Sequence, residues 1–306
     1  MRRVLAVHFV PCALFVTCVY GLVRAGSFSG RSDGAAVLPS SPAATAGALL
    51  LIGACAAILG MLLQPFQVRA VRVLEGYWDR WPITAGFAGV LMELQRRRGQ
   101  ALADRATAAA DAGPDARRVA ADASRRLAAG PPVNALLPTA LGNALRAGEL
   151  SAGERYGLTT LASWPRIHPQ VSAPLAQALS SARDMLDMAV NLCHAFLACA
   201  VVMGAAFYDE AGDWWLVALA LVMAAVAYKG AVIGVQAYAG LMHVVYDLHR
   251  FDLVEALHHP LPDRDGEWAL FQRLSDRFAG RRVNLPYAHG SSRPHKTDGP
   301  DQPEQV

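Results

Sequence analysis

The sequence predicts an all-α integral membrane protein with four transmembrane helices and a cytoplasmic helical insert between the second and third. Three observations carry that reading. Of 306 residues, 54% are hydrophobic and only 17% are charged, far from the balance of a soluble domain. Four stretches, at 4–23, 44–64, 185–207 and 214–235, each approach the roughly 20 apolar residues that a helix needs to cross a bilayer core of about 30 Å. Residues 67–184, between the second and third stretches, are too many for a hairpin loop and rich in helix formers.

The first span, VLAVHFVPCALFVTCVYGLV, follows Arg2 and Arg3 and precedes the small residues of VRAGS, as the core of a signal peptide would. Its apolar run exceeds the roughly 7 to 15 residues of such a core, and further spans follow, so a retained helix is expected. Arginines near the span ends set the orientation. Arg2 and Arg3 precede the first span, Arg69, Arg72 and Arg80 follow the second, Arg166 and Arg183 precede the third, and Arg250 follows the fourth. The opposite side has Arg24 and Arg31 in one loop and the acidic DEAGD in the other. Both termini are therefore expected in the cytoplasm, and the chain in a bacterial inner membrane. Trp214 and Trp215 suit the outer interface, and Tyr77, Trp78 and Trp81 the inner one.

Within the insert, FAGVLMELQRRRGQALADRATAAADA places Val90, Leu91, Leu94 and Leu102 on one side of an amphipathic helix that ends at Gly113 and Pro114. DARRVAADASRRLAAG reads as a short helix capped by Asp115 and stopped at Gly130. Arg96, Arg97 and Arg98 read as a solvated face in preference to a lipid headgroup site. In LLPTALGNALRAGELSAGERYGLTTLASWPRI, Thr139 is the expected N-cap, and Leu137, Leu141 and Leu145 recur every four residues with Arg146 and Glu149 turned away. Gly142, beside Asn143, costs up to about 1 kcal/mol of helix propensity, which points to close packing, with a small ligand as the alternative. WPRIHP is expected to break this helix, and Ser172 with Pro174 to start a long helix running into the third span. Residues 236–282 are expected to form juxtamembrane helices, and 283–306, dominated by Gly, Ser, Pro and His, to be disordered.

LLPTALGNALRAGE, YGL and WPRIHP, together with LEGYW after the second span, resemble words found in a group of bacterial multi-pass membrane proteins. The similarity covers roughly residues 64–195. It implies a membrane fold and location, and carries no activity and no catalytic residues.

Chemistry is sparse. The 26 Arg and 2 Lys leave a net charge of +3, too small an excess to point to a polyanion, so no nucleic-acid partner is expected. Cys12, Cys18, Cys55, Cys193 and Cys199 all lie in apolar runs without a CxxC pair, which gives neither a disulfide framework nor a zinc knuckle. P-loop and GxGxxG patterns are absent, and no cofactor is expected. The sharpest feature is a polar stripe on the third span, Asp184, Asp187, Asn191 and His194, whose spacing puts them on one helix face. A proton or ion path competes there with the favoured reading, in which the aspartates reach the headgroups and Asn191 and His194 bond neighbouring helices. Lys229 is the expected partner of Asp187 unless it snorkels, Gly230 and Gly234 form a GxxxG, and His8 is expected to be a packing residue. His243, Asp247, Asp252, Glu255 and His259 invite a metal reading, but no HExxH spacing sharpens it and no metal is expected.

The expected partner is the lipid bilayer, with the insert as the place for a protein partner and a homo-oligomer as a further option. The leading functional expectation is a non-enzymatic scaffold or interaction protein. Its alternatives are a subunit of an oligomeric transporter or channel that uses the third-span stripe and, third, a metal-dependent membrane enzyme.

Overall fold

The computed structural model describes residues 5–30, 32–78, 82–107 and 113–287, and every regular element among them is helical. A π-helical turn at Leu5–Phe9 leads into α1 (Val10–Arg24). α2 (Pro42–Leu63) starts on Ser41, whose hydroxyl accepts the Ala44 N–H at 3.2 Å, with Pro42 pre-set for the first turn. A 3₁₀ turn at Gln64–Phe66 joins it to α3 (Gln67–Glu75), which Gly76 stops at a left-handed φ of 95°. Then follow α4 (Pro82–Thr107), α5 (Pro114–Ala128), α6 (Ala140–Ser151), α7 (Thr160–Ile167), α8 (Ala173–Ala206), α9 (Trp214–Ala256) and α10 (Glu267–Phe278).

Four helical segments, Val7–Arg24, Pro42–Glu75, Ala173–Ala206 and Trp214–Ala256, are long and apolar enough to cross a bilayer. α8 and α9 form the most extensive helix pair, and α1 packs against both α8 and α2. α2 is apolar on every side and exposes Leu49, Leu50, Leu51, Ile58, Met61 and Leu62, a surface fit for acyl chains. The 34 residues of α8 and 43 of α9 correspond to about 50 and 65 Å, well beyond the roughly 30 Å of a bilayer core. The excess lies where α8 begins and α9 ends, because the apolar stretches 185–207 and 214–235 occupy the other end.

Around that excess the other helices build the protein's main core. Tyr246, Phe271, Leu158, Ile167, Leu253 and Leu274 are all buried in it, supplied by α9, α10, α7 and the turn before α7. α3 and α6 join the spans through a second cluster in which Val71 and Leu141 meet Leu186, Val190, Ala231 and Val235. The insert is therefore two things: α3, α6 and α7 are built onto α8 and α9, while α4 and α5 form a hairpin packed on each other.

Four expectations need correction. Gly113, not Asp115, stands at the N-cap of α5, because Pro114 with its fixed φ takes the first helical position. The helix after Thr139 ends at Ser151, well before WPRIHP, and WPRI instead forms the second half of α7. Residues 283–287 are ordered: Leu285 is buried in the main core, and His259 Nδ1 donates to the Pro286 carbonyl at 2.7 Å while its ring stacks on Tyr287. Val283 and Leu285 both pack on that core, which outweighs the segment's turn-forming composition; residues 288–306 lie outside the described residues. Finally, the apolar face expected on α4 is covered only in part: Leu91 and Leu102 are half-buried, whereas Val90 and Leu94 are exposed.

Candidate functional site

The unusual words of the insert turn out to clasp one another. Thr139 caps α6 by accepting the Gly142 N–H at 3.0 Å, and its hydroxyl donates to the Glu75 carbonyl at 2.8 Å, across from the end of α3. Gly142 has no room for a side chain, because a methyl group there would overlap that same Glu75 carbonyl oxygen. Asn143 Oδ1 accepts the Leu137 N–H at 2.6 Å, and the Leu141 N–H donates to the Tyr228 hydroxyl at 3.1 Å. LEGYW and LLPTALGN thus lock α3 to α6 and fasten both to α9.

The later words do the same around Tyr246. Its hydroxyl donates to the Thr160 carbonyl at 3.0 Å and lies 2.9 Å from Ser163 Oγ, while Trp164 stacks on its ring. A Cβ on Gly153 would stand 2.7 Å from the Tyr246 ring, and one on Gly148 would stand 2.6 Å from Ala239 Cβ. Small residues here set how closely α6 and the turn after it approach α9.

Between α3, α6, α7, α8 and α9 remains a cleft of about 220 Å³ whose polar wall includes Arg72, Glu75, Glu149, Arg183 and Tyr238. Arg146 sits beside it, 3.0 Å from both Glu149 and Glu154. Burial pushes the Glu149 carboxyl above its usual range against the opposing pull of Arg146. Burial likewise raises Glu75, beyond the apolar stretch 44–64, and the Glu149 charge adds to the rise while Arg72 and Arg183 oppose it.

The third-span stripe divides. Asp187, only 7% exposed, has Oδ2 3.5 Å from Arg183 Nε one turn earlier, and Lys229 is exposed, so the ion pair expected between Asp187 and Lys229 is replaced by one within α8. Asp184 is half-buried. Asn191 Nδ2 donates to the Val7 carbonyl at 2.9 Å and lies 3.4 Å from His8 Nδ1; His194 Nδ1 donates to the Val190 carbonyl at 2.9 Å. Asn191, His194 and His8 also line a second, largely apolar cavity among α1, α2, α3 and α8. Gly234 packs on Leu186, where an added Cβ would stand 3.3 Å from Cα, and Gly230 faces Ala189 more loosely at 3.9 Å.

The residues that invited a metal reading scatter among separate partners. Asp247 accepts the Tyr156 hydroxyl at 2.6 Å and pairs with Arg155, His249 Nδ1 lies 2.7 Å from Asp252, His259 is committed to Pro286, and Glu255 is exposed. Burial, and then the Arg155 charge, hold the His243 imidazole below its usual range. Among the described residues no three His, Cys, Asp or Glu converge as a metal site.

Sequence reasoning missed Tyr246, Gln67 and the carboxylate pair Glu75 and Glu149. It also passed over Pro11, the one available signal that a nearby carbonyl in the first span would need a donor from outside its helix. No protein-family model matches the chain, and neither a curated protein nor a solved structure matches it.

Proposed function

We propose that this chain is a membrane-anchored interaction protein, a non-enzymatic scaffold whose α4–α5 hairpin holds a partner protein beside the membrane. One observation carries the reading. Phe87, Val90, Met92, Leu94, Val119 and Leu127 leave apolar surface exposed on that hairpin, whereas α7 and α10 turn most of theirs into the main core and α6 turns Leu141 and Leu145 into the second cluster. Apolar side chains exposed together on one surface are the usual mark of an interaction site.

The hairpin's charge specifies the partner. Arg96, Arg97, Arg98, Arg105, Arg117, Arg118, Arg125 and Arg126 outnumber Glu93, Asp104, Asp115 and Asp122. A helix with an apolar face edged by carboxylates complements it. Arg69, Arg72, Arg166, Arg183 and Arg250 gather at the end where α8 begins and α9 ends, which supports placing that end, the hairpin and both termini in the cytoplasm of a bacterial inner membrane.

A photoreactive residue at Val90 or Val119 of the full chain, irradiated in intact cells, is expected to give one discrete adduct with a different protein. Arg97→Glu together with Arg118→Glu is expected to weaken that adduct. Adducts with lipid alone, or only with further copies of this 32.6 kDa chain, overturn the reading.

A further inference from the structure

The cavity among α1, α2, α3 and α8 holds about 290 Å³, near the lower end of small-molecule sites. Its wall is graded. Phe15, Leu59 and Ala198 line it with hydrocarbon, and along α8 it runs from Asn191 to Ala198, seven residues or about 10 Å of helix rise. No Asp, Glu, Lys or Arg is among its lining residues.

The polar groups in that wall are mostly spent. Asn191 serves Val7 and His8, and His194 serves Val190. Gln67 is different: its amide nitrogen is buried and has no hydrogen-bond partner. Such a donor, removed from water and unmatched, costs on the order of 1 to 3 kcal/mol unless something accepts from it. Gln67 stands three residues past the apolar run 44–64, at the arginine-bearing end of the spans. Immediately beyond it, the Arg69 guanidinium lies over the ring of Phe66, itself part of the wall, at 5.8 Å.

Read from mid-bilayer outward, the order is hydrocarbon wall, single amide donor, cation. A phospholipid has the matching order of acyl chain, ester carbonyl and phosphate. We propose that this cavity is a binding site for one phospholipid of the adjoining leaflet. One acyl chain lies between Phe15, Leu59 and Ala198, the Gln67 side chain turns its enclosed amide to the ester carbonyl, and the phosphate reaches Arg69. The site is separate from the hairpin and does not depend on what the hairpin binds.

Native mass spectrometry of the full chain in detergent, titrated with dioleoyl-phosphatidylglycerol, tests this. One lipid is expected to bind well above the background of loosely held copies, with dioleoylglycerol, which lacks the phosphate, and oleate, which lacks the ester, each weaker by about tenfold. Gln67→Leu and Arg69→Gln are each expected to weaken phosphatidylglycerol binding by about tenfold, the charge-neutral Gln67→Leu serving also if a cavity-filling Ala195→Phe fails to fold. Lys229→Gln, on an exposed face of α9, is expected to leave it unchanged. Equal retention of all three probes, or wild-type retention in Gln67→Leu, overturns the proposal.

Discussion

Asn191 on α8 donates to the carbonyl of Val7, at 2.9 Å, and Val7 is the residue that an α-helix would pair with the backbone N–H of residue 11. Residue 11 is Pro11, which has no N–H to give. The π-helical turn at Leu5–Phe9 sits at the same place. A donor missing from the first span is thus supplied by the third, and the pairing also fixes their relative height. It gives Asn191 of the polar stripe a structural role.

The two sites are therefore coupled. Asn191→Leu is expected to cost about 1 kcal/mol of stability, the scale of hydrogen bonds between membrane helices. In a Pro11→Ala background, which restores the backbone donor, the same substitution is expected to cost clearly less. Unfolding of the four variants in mixed detergent measures the coupling, and simply additive losses would sink the idea.

Gly142 and Gly230 are both helical glycines, yet their alanine variants are expected to differ. At Gly142 the new methyl group overlaps the Glu75 carbonyl, so the gain of up to about 1 kcal/mol in helix propensity is outweighed by about 1 to 3 kcal/mol of overpacking. At Gly230 the nearest atom is Ala189 Cβ at 3.9 Å, an ordinary contact. Thermal unfolding is expected to drop for Gly142→Ala and hold for Gly230→Ala; equal values would mean α3 yields without cost.

The partners of Asp187 give a second contrast. Arg183→Met leaves its carboxylate buried without its cation, although the 42% exposure of the Arg183 side chain limits the loss to about 1 or 2 kcal/mol. Lys229→Met is expected to change folded yield little. A larger loss from Lys229→Met than from Arg183→Met would restore Lys229 as the partner.

Glu75 provides a pH dependence. Its carboxyl is raised in the folded protein, by burial first and by Glu149 second, whereas the unfolded chain ionises near its ordinary value of about 4.3. Between those two values the unfolded state gives up its proton first, so stability falls as pH rises through the window and stays lower above it. Glu75→Gln is expected to match the wild type near pH 4 and to unfold at a higher temperature at pH 7.5. No gain at pH 7.5 would mean that Arg72 and Arg183 fully offset the burial.

The spans were legible because roughly 20 apolar residues in a row have few other uses, and Thr139 was legible as a cap because its hydroxyl acts on the backbone three residues later. Local signals of that kind survive in a single sequence. Gly142 announced a close approach but not that Glu75, far away in the chain, supplies the other surface. Depth in the membrane points Asp187 to Lys229, but Arg183 lies one turn away on the same helix face, and that local spacing decides the pairing. The Gln67 cavity was beyond reach, since four helices, α1, α2, α3 and α8, enclose it.

α9 is a single helix of 43 residues without a proline, from the spans through to the core around Tyr246. It behaves as an unjointed beam. About 20 of its residues, or roughly 30 Å, extend past the apolar stretch, so a tilt of about 10° at the membrane surface displaces the far end by about 5 Å. Bilayer thickness and lateral pressure act on one arm of that beam, while Tyr246, Leu253 and the helices packed on them ride on the other. With no hinge to absorb it, a change in the lipid is felt as a movement of the whole collar of helices outside it.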